Sequence, residues 1–359
     1  MKTPVVYSPD HRFHDTDTGI WVGVPIPSEE VPARAEIIVD HLRNLGHEVL
    51  QSKSHDDSVL ESVHDVDLIE YLRTAHEQWE AWGYGIDPGQ PIVTAYAFPT
   101  ERFLGRRPLR RPRSPGALAG VYAMDTMTRI GPGTYRGARA AVDMAQTAAE
   151  HVGAGAVSAY AVCRPPGHHS GPGFFGGSCY LNNAAVAAET LVRSDLGRVM
   201  VIDLDAHHGN GTQEIFYRRS DVVYGSVHVD PADGWFPHFV GHADEVGVDA
   251  GDGANHNLPL PAESEEPAWL EAVDSLIDWA ASHEAGALVV SLGVDAAASD
   301  PESPLRVTES GYREAGERIA SLGLPTVFIQ EGGYDLATIG GLVASTLAGF
   351  DSSMGDGEA

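Results

Sequence analysis

The stretch Arg198-Val199-Met200-Val201-Ile202-Asp203-Leu204-Asp205-Ala206-His207-His208-Gly209 sets how the rest of the chain is read. Its first half is a short apolar run without polar alternation, the pattern of a strand buried on both faces of a parallel sheet. Its second half ends that strand in two aspartates and two histidines. In extended chain, side chains two apart point to the same side, so Asp205 and His207 grip one cation with a carboxylate and an imidazole.

Four other runs repeat the arrangement. Val157–Cys163, Val222–His228, Ala287–Leu292 and Thr326–Gln330 are short and rich in Val, Ile, Ala and Leu. Helical patterns lie between the runs. Pro32–Leu45 is stopped by Gly46; Tyr135–His151 has Thr134 as its cap; Ala184–Arg193 is capped by Asn182 or Asn183. Pro267–His283 carries Trp269, Leu270, Val273, Ile277 and Ala280 at helical spacing. Alternation of this kind predicts an α/β fold, a doubly wound and mainly parallel sheet with helices on both faces. The chain of 359 residues, 43% hydrophobic, is long enough to bury one large core. A single domain over 1–350 is expected. Gly83–Ala117 interrupts it with Pro, Gly and the arginines 102, 106, 107, 110, 111 and 113, a structureless insertion suited to a lid or an oligomer contact. Residues 351–359 form a short acidic tail that should fray.

The formal net charge is -28, with Asp+Glu 51 against Lys+Arg 23; Lys2 and Lys53 are the lysines, leaving 21 arginines. Such a chain is unsuited to nucleic acid. The acidity fits a surface adapted to high salt, as in a halophile, or attraction of a cationic substrate. At 1 M salt the screening length is only ~3 Å, which weakens long-range steering. The start lacks the basic-then-apolar pattern of a signal peptide, and no run nears the ~18 apolar residues of a membrane span. Cys163 and Cys179 form neither a metal-type pair nor a disulfide framework. A cytoplasmic protein without a membrane partner is expected.

Each apolar run ends in chemistry. Cys163 leads to His168 and His169, Val227 to His228 and Asp230, Leu292 to Asp295, and Gln330 to Glu331 and Tyr334. In parallel sheets ligands bind beyond the carboxyl ends of the strands. Asp295 would complete three ligands with Asp205 and His207, the layout of a catalytic metal with an open position. Two carboxylates and an imidazole suit Zn2+, with Fe2+ as the alternative. A base and an acid are then needed, and His168 and His169 share a Pro-Gly turn that faces them to one cavity. Tyr334, behind two glycines, can donate its hydroxyl to a developing oxyanion.

These segments together resemble the histone deacetylase superfamily, and more narrowly its acetylpolyamine amidohydrolase branch. The resemblance is carried by Arg164–Ser170, Gly176–Asn183, Asp203–Gln213, Phe236–Phe239, Ser291–Asp295 and Glu331–Tyr334, with weaker similarity at Val63–Asp65 and Pro132–Thr134. It implies the arginase/deacetylase fold and a metal-dependent deacetylase acting on a small acetylated amine or an acetylated protein. By position it implies Asp205, His207 and Asp295 as zinc ligands and His169 as the general base. His168 would be its electrostatic partner, oriented by Asp203, and Tyr334 would polarise the carbonyl. Gly177 and Phe236 would line the acyl channel. It also implies structural K+ near Asp203, Ser226 and Val227, and a homodimer supported by the insertion.

Three departures stand out. Asn210 replaces an aspartate found in some relatives behind the second histidine, which leaves His169 less basic. Ser178 stands where many members place an aromatic channel wall, so the channel is expected to be wider there. Gly19 and Gly116 fall where polyamine-type members can place acidic residues at the mouth, with Asp15 and Asp17 as neighbouring substitutes. The alternatives are an arginase-type binuclear manganese hydrolase, which needs more paired ligands, and a non-catalytic acyl-amine binding protein, which should lack a ligand, a base or the tyrosine.

Overall fold

The computed structural model describes residues 2–82 and 92–355. Its strands are β1 (Val5–Tyr7), β2 (Thr18–Trp21), β3 (Val24–Pro27), β4 (Val49–Gln51), β5 (Ser158–Ala161), β6 (Val199–Asp203), β7 (Val222–Val229), β8 (Asn255–Leu260), β9 (Ala287–Leu292) and β10 (Thr326–Gln330). Eight of them form one sheet in the order β4-β1-β5-β10-β9-β6-β7-β8, and every neighbouring pair is parallel. β2 and β3 make a separate antiparallel hairpin. The five runs picked out in the sequence are β5, β10, β9, β6 and β7, five consecutive strands at the centre of the sheet.

The helices are α1 (Ala33–Asn44), α2 (Leu60–Val63), α3 (Val66–Trp82), α4 (Glu101–Leu104), α5 (Pro115–Tyr122), α6 (Thr134–Gly153), α7 (Asn183–Val192), α8 (Asn210–Phe216), α9 (Glu266–Ala281), α10 (Glu309–Ala320) and α11 (Ile339–Gly355). They cover both faces. Val199, Val201, Val289 and Ile329 pack with α3, α5, α6 and α7. Met200, Ile202, Val290 and Phe328 pack with α1, α9, α10 and α11 on the other side. Because alternate side chains of each strand enter different apolar layers, these strands need apolar residues at every position.

Local contacts shift some boundaries. Asn182 is the cap of α7, its side chain accepting the Ala185 N–H at 2.8 Å. Thr134 is not a cap: it opens α6, and its hydroxyl instead accepts the Gly131 N–H at 2.9 Å and meets His14 Nδ1 at 3.1 Å. Of the expected acidic tail, residues 351–355 continue α11 to Gly355, and 356–359 lie outside the described residues. The Asp351 carboxylate is spent on the Thr3 hydroxyl at 2.6 Å and the Thr3 N–H, which ties the two ends of the chain together. Of the insertion, 83–91 lies outside the described residues. The remainder is not structureless: it holds α4 and the start of α5, and Val93 bridges to Ile130.

Candidate active site and metal centre

Parallel register brings the five strand ends to one level. Asp203 pairs with both Ser291 and Ser226, and Ser291 pairs with Ile329. The loops that follow therefore converge at the carboxyl edge, where a cavity of about 500 Å³ opens. Its lining includes His169, His207, Gly177, Ser178, Phe236 and Tyr334.

Asp205, His207 and Asp295 place one ligand atom each within 4.8 Å of one another. His207 Nδ1 lies 3.3 Å from Asp205 Oδ1 and 3.1 Å from Asp295 Oδ2. Both carboxylates are fully buried. Burial and the neighbouring Asp205 charge push the Asp295 carboxyl up to about 7. Two buried like charges facing one imidazole suit a divalent cation, whose charge would offset their repulsion. The backbone is shaped for this crowding. A Cβ at Gly293 would collide with Asp205, and one at Gly332 with both carboxylates. Gly332 N–H also donates to Asp205 Oδ2 at 2.8 Å. The residues fit a metal, and the donor set suits zinc or Fe2+.

The two histidines have different partners. His168 Nδ1 meets Asp203 Oδ2 at 3.1 Å, and its Nε2 lies 3.8 Å from Asp205 Oδ1. Burial disfavours its charge, but Asp205 and Asp203 outweigh that and raise it to about 10. His169 Nδ1 meets the Asn210 side-chain oxygen at 2.8 Å. Burial and the His168 charge hold it well below the usual histidine range. An amide oxygen takes the Nδ1 proton, so Nε2 carries the lone pair. Environments that push two neighbouring groups apart in this way keep one charged and leave the other free to accept a proton. Glu331 underlies the pair, accepting the N–H groups of Gly167 at 2.7 Å and His168 at 3.1 Å. It also belongs to a second group with ligand atoms within 4.8 Å, His168, Cys179 and Glu331.

Tyr334 reaches the cavity from the turn after β10. Asp300 accepts its N–H at 2.6 Å and that of Asp335 at 3.0 Å. The Arg34 guanidinium lies over its ring, 4.7 Å from the centroid. Arg34 also donates to Gly333 O at 2.5 Å and Glu331 O at 2.6 Å, and pairs with Glu30 at 2.9 Å. Burial drives the phenol well above its ordinary value despite Arg34, so it stays a proton donor. Across the cavity Phe236 stands edge-on to His169 at 4.7 Å.

Sequence reading placed Glu331 at a strand end without assigning it a role and missed Arg34 and Asp300; all three bond backbone carbonyls or N–H groups of distant segments. It also misplaced the acidic mouth. Gly19 lines the cavity, but Gly116 is buried against Trp82, and Asp15 and Asp17 are not in the lining. The acids that line it are Glu29, Glu30 and Glu302, with Arg129 as a cation. Glu30 is taken up by Arg34, Arg164 and His14. Glu29 is raised by burial and by the charges of Glu302 and Asp300. None of the described arginines of the insertion is in the lining. The residues expected around potassium are also close. Asp203 and Ser226 are register partners, Val227 follows in β7, and the Ser226 hydroxyl meets His228 Nδ1 at 2.8 Å.

An eight-stranded parallel sheet with a buried carboxylate–histidine centre at its carboxyl edge defines a metal-dependent hydrolase of the arginase/deacetylase fold. Within that class the chain belongs to the histone deacetylase family: the histone deacetylase domain profile matches residues 28–350. The chain is 42% identical to acetylpolyamine amidohydrolase 1 of Pseudomonas aeruginosa, over 97% of this chain and 99% of that protein. It is 38% identical to the acetylpolyamine amidohydrolase of Mycoplana ramosa, over 96% and 98%. The crystal structure of an acetylpolyamine aminohydrolase from Burkholderia pseudomallei superposes with a TM-score of 0.90 at 36% identity, covering 98% of this chain and 99% of the other. Membership of this family favours the deacetylase reading over the arginase-type one. Among the described residues no helix is long and apolar enough to cross a membrane.

Proposed function

We propose that this protein is a zinc-dependent amidohydrolase that removes acetyl groups from small cationic amines, acetylpolyamines first, with acetyl-lysine side chains as the other candidate. One observation carries the proposal: His207, His169 and Tyr334 line a single cavity, with Asp205, Asp295 and His168 buried directly behind them. The match in length and sequence to acetylpolyamine amidohydrolases supports the amine as substrate. Glu29 and Glu302 at the cavity lining support a cationic one.

Asp205, His207 and Asp295 would hold the ion. When bound, zinc supplies Lewis acidity that lowers the pKa of water and polarises a carbonyl. His169 takes a proton at Nε2, with Asn210 holding its Nδ1–H, and returns that proton to the departing amine. His168, charged against Asp203, fixes the position and field of the pair. Tyr334 donates its hydroxyl to the oxygen of the scissile carbonyl as charge develops there. Phe236 and the Gly177–Ser178 backbone enclose the acyl group and exclude water. Asp203, Ser226 and the Val227 backbone would hold a structural potassium ion beneath. Exposed Tyr96, Phe103 and Leu109 in the insertion support a homodimer, and a cytoplasmic location fits the family.

The test is acetate release by zinc-loaded protein in high potassium chloride from N-acetylputrescine, N-acetylspermidine and an acetyl-lysine peptide. The small amines should be preferred. A preferred peptide would make the protein a protein deacetylase, and no release from any of the three with zinc bound would sink the proposal.

A further inference from the structure

The wall of the acyl channel is held by groups that take no part in the chemistry. Gly177 and Ser178 sit side by side with φ of +56° and +63°. For serine this left-handed backbone is unfavourable and persists only where neighbours impose it. The neighbours are Asp125 and Thr128. The Asp125 carboxylate accepts the Gly177 N–H at 2.6 Å, the Thr128 N–H at 2.8 Å and the Thr128 hydroxyl at 3.1 Å. The Thr128 hydroxyl in turn accepts the Ser178 N–H at 2.9 Å. Both wall amides are thus pinned to one turn, whose Thr128 is buried and itself borders the cavity. The pinned wall is tight. A Cβ on Gly177 would strike the His169 ring and Phe236. The same turn follows α5, and Ala123 bridges to Phe175 just ahead of the wall.

We propose that Asp125 and Thr128 are positioning residues that set the acyl-chain selectivity of the channel by fixing the Gly177–Ser178 wall against His169. Resting on the amidohydrolase reading above, this adds a specificity determinant to it. Without the pins, Ser178 relaxes toward ordinary backbone angles and the wall yields to a longer acyl chain. Asp125→Asn keeps the shape but replaces one acceptor by a donor facing an N–H. Thr128→Val removes the hydroxyl relay, and Thr128→Ser retains it.

The experiment compares N-acetyl-, N-propionyl- and N-butyrylputrescine as substrates of the zinc-loaded wild type and the three variants. It also follows hydrogen exchange at the Gly176–Cys179 amides. In Asp125→Asn and Thr128→Val the butyryl-to-acetyl ratio of kcat/KM should rise about fivefold, the effect of one hydrogen bond, mainly through KM. Their wall amides should exchange faster, while Thr128→Ser should match the wild type in both. An unchanged ratio in folded Asp125→Asn and Thr128→Val overturns the proposal, as does unchanged exchange. A wild type inactive on all three substrates would instead count against the amidohydrolase reading, and the exchange data would still judge the pins.

Discussion

Acid should weaken this fold through one buried histidine whose two ring nitrogens are both committed. His64 is 2% exposed. Its Nδ1–H donates to Gly171 O at 2.8 Å, and its Nε2 accepts the Asn182 N–H at 2.9 Å. Asn182 caps α7, and Gly171 closes the loop carrying His168 and His169, so His64 staples the base of the site. Protonation would set an N–H of the ring against the N–H of Asn182. Burial accordingly lowers this histidine to about 4. The unfolded chain takes up the proton near pH ~6.5, so the folded state is favoured above that pH and loses this favour as pH falls toward 4. The difference of about 2.5 units corresponds to roughly 3 kcal/mol in full, of which about 2 kcal/mol is lost between pH 8 and pH 5. Urea unfolding of metal-free protein at pH 8, 7, 6 and 5 measures it, comparing wild type with His64→Gln. The variant should be less stable at pH 8 by the order of one hydrogen bond, ~1 kcal/mol, and its curve should be flatter by about 2 kcal/mol over the range. Parallel curves would refute the reasoning, because every other titrating group is common to both proteins.

Other expectations concern the reaction. Tyr334→Phe should lower kcat ~10²–10³-fold, the usual cost of one oxyanion donor, with zinc content unchanged by metal analysis. Asn210→Asp places a carboxylate on His169 Nδ1 and favours its imidazolium form, so the acidic limb of the kcat/KM profile should move to higher pH. Glu29→Gln and Glu302→Gln should raise KM for N-acetylputrescine several-fold while sparing an uncharged N-acetylalkylamine; equal effects on both substrates would remove these acids from amine recognition. A chelator should abolish acetate release and added zinc restore it. In Asp295→Asn, zinc retention by dialysis should fall sharply.

The central strands were readable because each apolar run is buried on both faces, so periodicity and burial agree. The same runs end in polar residues because strand ends leave the core, which made Asp205, His207, Asp295, His168, His169 and Tyr334 visible before any fold was drawn. Helix ends were less readable. Thr134 has the right residue type for a cap, but its hydroxyl serves Gly131 and His14 instead. The acidic tail looked free, yet Thr3, at the other end of the chain, recruits Asp351 into a helix end.

The amino-acid sequence by itself determined the α/β alternation, the strands and the chemical inventory at their ends, since these depend on local pattern and residue type. Only the tertiary structure decided which strands are neighbours, and hence that five strand ends share one cavity. It also decided that Asn210 meets His169, that Arg34 lies over Tyr334, and that Glu29 and Glu302 rather than Asp15, Asp17 or Gly116 face the mouth. Those facts depend on hydrogen bonds and packing between residues far apart in the chain, and their partners are often backbone groups that every residue carries. Side-chain identity marks a ligand or a base, whereas a shared backbone carbonyl or N–H becomes specific only when folding brings a partner to it.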